Sequence, residues 1–188
     1  MKKIGLSDSV AIPSGIEIHL DNNIIKVKGK TEVVKNFKTA QIKIKKADDK
    51  ITFSVKGNSR KDKSILNTGI AQLNNMIKGS NENYVYKLKI CSGHFPMNVT
   101  IDKNKIVVKN FLGEKLPRIA KIVDNVQVKV AGDIITVESN DKERAGQVSA
   151  NIEIATRIPN KDRRVFQDGC FIIERNGELI KWNHDQNY

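Results

Sequence analysis

Aromatic residues make up only 5% of this 188-residue chain, which also has just two cysteines, four prolines and no long unbroken apolar run. Each scarcity excludes something. Readers of single-stranded RNA stack bases on exposed sheet aromatics, and Tyr84 and Tyr86 form the sole same-face pair here, better placed for a core or a domain interface. Cys91 and Cys170 are too few for a disulfide scaffold, and with no secretion signal they are expected to stay reduced. The apolar residues after Met1-Lys2-Lys3 are interrupted at Ser7, Asp8 and Ser9, so no signal-peptide core forms. No run approaches the length of a membrane span, and a cytoplasmic protein is the expectation. Neither common Gly-rich phosphate loop occurs, which removes the usual footing for nucleotide hydrolysis or dinucleotide redox chemistry. His19, His94 and His184 and the isolated cysteines show no metal-ligand spacing, so no metal or other cofactor is expected.

What is abundant is positive charge. Lys and Arg number 33 against 21 Asp and Glu, a net +12 with a pI near 9.7, and such a balance points to a polyanionic partner, most often nucleic acid. An anionic membrane would call for a basic amphipathic helix with large apolar residues on its buried face, which the helix candidates do not supply. A hydrophobic content of 39% is ordinary for a folded, core-forming protein. Residues 1–83 hold 16 basic and 8 acidic groups, the remainder 17 and 13. Many of the first half's cations, Lys26, Lys28, Lys43, Lys45 and Lys56 among them, alternate along strands in the manner of a solvated face.

Periodicity divides the chain into two similar parts. Ile16, Ile18 and Leu20 alternate with polar residues, Asp21-Asn22-Asn23 supplies turn chemistry, and Ile24 to Val27 returns as a second strand. A second pair joins Ile42 and Ile44 to Ile51, Phe53 and Val55 through Asp48-Asp49-Lys50. Leu66, Ile70, Leu73 and Ile77 then step as a helical stripe, with Asp62 or Ser64 expected as N-cap and Gly79 as the C-terminal stop. The plan repeats. At an offset of 81, Leu20 to Lys28 aligns without gaps on Ile101 to Lys109, and five of the nine positions are identical. Asp49, Ile51 and Thr52 fall on Asp133, Ile135 and Thr136, and a second helix opens at Asp141 with the stripe Ala145, Val148, Ile152 and Ala155. The expected fold is α+β: two tandem similar domains, 1–82 and 83–188, each an antiparallel-rich sheet with one helix on a face, plus a C-terminal hairpin from Cys170 to Trp182 turning at Asn176-Gly177.

Two stretches hold candidate chemistry. Arg157 to Gly169 follows the second helix and carries four basic groups beside Asn160 and Phe166; Pro159 is read as stopping the helix and Gly169 as closing the turn. Arg forks and Lys point charges on such a segment suit phosphate recognition, the alternative being a solvated connector. Cys91-Ser92-Gly93-His94 places a thiol near an imidazole, but no third orienting group can be named from sequence, and the segment reads better as a strand end and a turn.

Several blocks go beyond pattern. Asn75 to Gly79, His94 to Val99, Asn110 to Lys115, Asp141-Lys142 with Ala145-Gly146-Gln147, and Asn160-Lys161-Asp162 with Phe166, Asp168 and Gly169 together resemble the large-subunit ribosomal protein family numbered six in bacteria and nine in eukaryotes, the eukaryotic branch being the closer match. The resemblance spans nearly the whole chain. It implies a protein without catalytic activity, membrane or small-molecule substrate, fixed to large-subunit ribosomal RNA near the sarcin-ricin loop and the stalk base, beside neighbouring ribosomal proteins. The contact positions it implies are Lys109, Asn110, Gly113 and Lys115 on one loop. A second loop supplies Arg157, Asn160, Lys161, Arg163, Arg164 and Gly169, and a basic turn in the first domain supplies Asn58, Arg60 and Lys61. Val165 stands where many eukaryotic members are basic, and Arg163 where many are apolar, so the loop's charge is displaced. A free RNA-binding or RNA-chaperone module is the alternative function.

Overall fold

The computed structural model describes residues 5–180 apart from 22, 38–41, 48–49 and 163. The chain divides into two compact units, Met1–Asn83 and Tyr84–Tyr188. The expected turn at Asp48-Asp49, the cation Arg163 and everything from Lys181 onward, Trp182 included, lie outside the described residues.

Unit 1 runs β1 (Leu6–Ala11), β2 (Glu17–Asp21), β3 (Ile24–Lys28), β4 (Glu32–Asn36), β5 (Ile42–Ala47), β6 (Lys50–Val55) and α1 (Arg60–Asn81). These strands form two antiparallel three-stranded sheets, a β2-β3-β4 meander and a β1-β6-β5 sheet. Alternation does the sorting: Ile18, Ile25, Val27, Val33, Ile51, Phe53 and Val55 are buried while their sequence neighbours face outward. The α1 stripe closes this core through Leu66, Leu73, Met76 and Ile77.

Unit 2 repeats the plan with β7 (Tyr84–Cys91), β8 (Asn98–Asp102), β9 (Lys105–Lys109), β10 (Arg118–Lys121), β11 (Gln127–Ala131), β12 (Ile134–Ser139) and α2 (Lys142–Ala155), then adds β13 (Gly169–Arg175) and β14 (Glu178–Leu179). The offset of 81 seen in sequence is a structural register. Leu20 pairs with Ile25 and Asp21 with Ile24 in the first meander, as Ile101 pairs with Ile106 and Asp102 with Lys105 in the second. Tyr84 and Tyr86 are buried in the core of unit 2 beside Leu88, Ile106, Val137, Val148 and Ile152. The addition matters for the sheet edge: β13 pairs antiparallel with β7, giving the order β11-β12-β7-β13-β14. Asn176 and Gly177 both take positive φ at the turn of the final hairpin, as expected.

Three helix boundaries differ from expectation, each for a local reason. The N-cap of α1 is Ser59, not Asp62 or Ser64: Ser59 Oγ accepts from the Asp62 N–H (3.2 Å) and the Asp62 carboxylate accepts from the Ser59 N–H (2.9 Å). A reciprocal box with Asp rather than Glu at its third position hides in sequence. Gly79 does not stop α1, which continues to Asn81 and closes with the Glu82 N–H on the Lys78 carbonyl. Its last turn is held by tertiary contact, the Ser80 carbonyl accepting from the Thr31 N–H at 3.0 Å. Helix α2 opens at Asp141 as expected, the Asp141 side chain accepting from the Glu143 N–H at 2.9 Å, but it ends at Ala155, four residues before Pro159. There the buried Thr156 takes over: its Oγ1 donates to the Ile152 carbonyl and accepts from the Cys170 N–H at 2.9 Å, joining the end of α2 to β13.

Candidate nucleic-acid interface

The expected loop at 109–115 is shaped by its backbone. Lys109 ends β9 with its side chain exposed, and Asn110, Leu112 and Gly113 all take positive φ (59°, 48° and 77°) in the tight turn that Asn110 opens and Phe111–Gly113 continues. Asn110 and Gly113 supply the two residue types that tolerate this geometry best. The Asn110 amide donates to the Pro96 carbonyl at 2.9 Å, so its side chain holds the neighbouring 94–96 turn. Phe111 is buried and anchors the turn in the core, leaving Lys115 exposed beyond it.

Arg118, which the sequence did not mark, ties this loop to the second one. Its Nε and Nη2 donate to the two oxygens of Glu114 at 2.8 and 2.6 Å, and its Nη1 donates to the carbonyls of Ala155 (3.1 Å) and Arg157 (2.9 Å). Its guanidinium also lies over the Phe111 ring at 4.1 Å. A planar fork meeting a carboxylate and two carbonyls at once is a task Lys cannot do. The result brings 110–115 against the start of 157–169. Hydrogen bonding from Arg118 holds the Glu114 carboxyl below its usual range, against some desolvation, and the positive charges of Arg118 and Lys161 add to the effect. Nothing in the spacing Glu114-Lys115-Leu116-Pro117-Arg118 signals this, because the pair meets across a turn and not along a helix.

The second loop is pinned at its far end by Asp168, also missed as a positioning residue. This buried carboxylate accepts from the Gly93 N–H (2.7 Å) and the His94 N–H (3.0 Å) through Oδ1, and its Oδ2 lies 2.6 Å from His94 Nδ1. Burial alone would raise its pKa; the two backbone donors, the imidazole hydrogen bond and the His94 charge together outweigh that and hold it below the ordinary value. His94 stacks on Phe166 at 4.8 Å, and Lys161 Nζ sits 4.3 Å over the same ring. Both contacts use the half-buried Phe166 ring as a platform, so Lys161 is held over a ring against which His94 also stacks. Asn160 reaches its position through φ 58°.

The individual cations differ. Arg157 and Lys161 are exposed, whereas the Arg164 guanidinium folds onto its own Asp162, with Nη2 to Oδ2 at 2.8 Å and the Arg164 N–H on Oδ1 at 2.9 Å. That pair lowers the Asp162 pKa and raises that of Arg164 through the shared hydrogen bonds. Gly169 does not close a turn; it is the buried first residue of β13, at φ 151°, with the Phe171 ring 3.1 Å from where a Cβ would stand. Asn58, Arg60 and Lys61 are exposed at the start of α1 in unit 1. The structure thus unites the two loops of unit 2 in one surface, while the basic turn belongs to the other unit.

His94 turns its Nδ1 to Asp168 and its ring to Phe166, an arrangement that fixes a loop. Burial pushes the Cys170 thiol up to about 12, so it remains protonated at neutral pH.

Two comparisons bear on this surface. The family model of ribosomal protein L6 matches residues 95–169, a span that opens beside His94 and ends at Gly169 and so contains both loops and Arg118. The large ribosomal subunit protein uL6 of Methanobrevibacter smithii is 37% identical over 171 residues, covering 90% of this chain and 96% of that protein. Those of Methanococcus vannielii and Sulfurisphaera tokodaii are 36% and 41% identical, each covering 93% of this chain and at least 95% of their own length. The chain belongs to the ribosomal protein L6 family, in its archaeal and eukaryotic branch. The family is structural and non-enzymatic. The three alignments each cover at least 90% of this chain and so take in most of both units.

Proposed function

We propose that this chain is a structural constituent of the large ribosomal subunit, where it binds large-subunit rRNA and takes part in translation by holding RNA segments in place. The observation that carries the reading is the joining of 110–115 and 157–169 by Arg118 into one surface bearing Lys109, Lys115, Arg157 and Lys161. Lysine and arginine neutralise phosphates, the positive-φ turns give the surface a fixed relief, and recognition of folded RNA by shape and phosphate needs no exposed aromatic. The relatives' names, which place them in the large subunit, support the same partner. Within this proposal the site on rRNA is near the sarcin-ricin loop and the stalk base, with neighbouring ribosomal proteins alongside, on ribosomes of the cytoplasm. Arg163, outside the described residues, belongs to the same proposed contact set, as do Asn160, Arg164 and, in unit 1, Asn58, Arg60 and Lys61.

The test is salt-dependent binding of the full chain to deproteinised large-subunit rRNA. Each phosphate neutralised contributes roughly 0.7 to 0.9 to the log-log slope, so Lys161→Ala with Arg164→Ala should make the slope shallower by about 1, Lys161 supplying the change because the Arg164 guanidinium is already held by Asp162. An unchanged slope removes the loop from the contact surface. Chemical footprinting of the sarcin-ricin loop checks the location. Sedimentation in high salt separates a stable subunit component, which co-migrates with large subunits, from a free RNA-binding module, which stays in the soluble pool.

A further inference from the structure

We propose that the outer face of the β8-β9-β10 meander is a second RNA-binding face, one that takes the sugar-phosphate backbone of the rRNA held by the loops; the proposal rests on the function just described. One side of this meander is core, with Val99, Ile106, Val108 and Ala120 buried. The side chains of the other parity point outward, and partnered residues in an antiparallel ladder share a side. The registers Thr100 with Val107 and Val107 with Ile119 therefore form one row across the sheet, its edge residue Ile119 being 53% exposed. Lys105 and Lys121 are direct partners on one flank of that row, with Asp102 the third member. Lys109, opposite Asn98, lies on the other flank. All three lysines are exposed. A short apolar row between cations fits ribose edges between phosphates, and the shallow minor groove of A-form RNA presents that combination.

The duplicated meander serves as an internal comparison. In unit 1, Val34 occupies the place of Ile119 and is 48% exposed, so an outward apolar residue at this position is common to both copies. Its surroundings are not. Lys28 is partnered by Glu17 and Glu32, and Lys26 pairs with Asp21 at 3.7 Å. The same face thus carries three carboxylates to two lysines in unit 1 and one carboxylate to three lysines in unit 2. Charge complementarity selects a polyanion for the second face, and Lys109 makes it continuous with the loop that begins at Asn110.

The experiment measures binding of the full-length Lys105→Gln, Lys121→Gln double variant and of Ile119→Ser to deproteinised large-subunit rRNA across a potassium chloride series, with far-UV circular dichroism confirming the fold. The double variant should lose about 1 to 2 from the log-log slope. Ile119→Ser should weaken binding several-fold at every salt concentration with the slope unchanged. A double-variant slope equal to wild type overturns the proposal. If the Lys161 and Arg164 variant shifts the slope in the same series, only the second face fails; if neither variant does, the loop surface fails with it. A double variant that binds rRNA as wild type yet is depleted from reconstituted subunits assigns the face to a protein neighbour and equally overturns the proposal.

Discussion

Unit 1 has twice as many basic as acidic residues, 16 against 8, and unit 2 has 17 against 13, yet it is in unit 2 that Arg118 ties two basic loops into one surface. The difference lies in what the acids do. In unit 2, Glu114 is bound by Arg118, Asp168 by His94 and two backbone donors, Asp162 by Arg164, and Glu174 by Lys87 at 2.9 Å. These carboxylates shape loops and strand pairing, and lysines project beyond them. In unit 1, the described carboxylates of the meander sit among its lysines, opposite Lys28 and against Lys26. Because screening confines exposed charges to roughly 8 to 10 Å, a polyanion responds to local clusters, and net charge by unit is a poor guide to where it binds.

The comparison can be strained first at its shared core. Ile25 and Ile106 are equivalent positions, both fully buried, so Ile25→Ala and Ile106→Ala should each cost about 2 to 5 kcal/mol. Chemical denaturation followed in each variant should show similar losses; a cost confined to one would mean the two cores are not equivalent. Next comes a device that unit 2 holds in the segment added after its helix. Asp168→Ala strands three donors and should destabilise by about 3 kcal/mol, since hydrogen bonds to a charged group are worth roughly 1.5 to 3 kcal/mol each and partial rehydration offsets some of the loss. With its folded pKa below the unfolded value near 4, the Asp168 carboxylate contributes fully above about pH 4 and loses that contribution as pH falls further. Acid unfolding of wild type should therefore steepen below pH 4, and Asp168→Asn should flatten that limb.

A smaller effect separates shaping from contact. Arg118→Met keeps bulk over Phe111 but removes the fork that joins the loops, so rRNA affinity should fall several-fold with the salt slope intact. A slope reduced by about 1 would make Arg118 a phosphate contact instead. The smallest expected change is on the unit 1 meander: Lys26→Gln with Lys28→Gln should leave the slope within error of wild type, because carboxylates already face those lysines. A shift of about 1 there would dissolve the contrast between the copies.

Amino-acid order alone determined the duplicated plan. Period-2 and period-3.6 burial are consequences of local geometry, so Ile18, Ile25, Ile106 and Val108, and the stripes of α1 and α2, were readable without coordinates, as was the Asn176-Gly177 turn. The resemblance placed two loops on the chain, and Asn110, Gly113 and Asn160 fell at backbone positions with positive φ. What only the tertiary structure decided is which groups meet. Gly79 stayed helical because the β3-β4 turn supplies its neighbour Ser80 with a partner, and α2 ended early because Thr156 is claimed by β13. Arg118 reaches carbonyls 37 and 39 residues away, and Asp168 reaches a turn 74 residues back. Such links depend on distance in space, which side-chain period does not encode, and they turn two separate basic loops into a single surface.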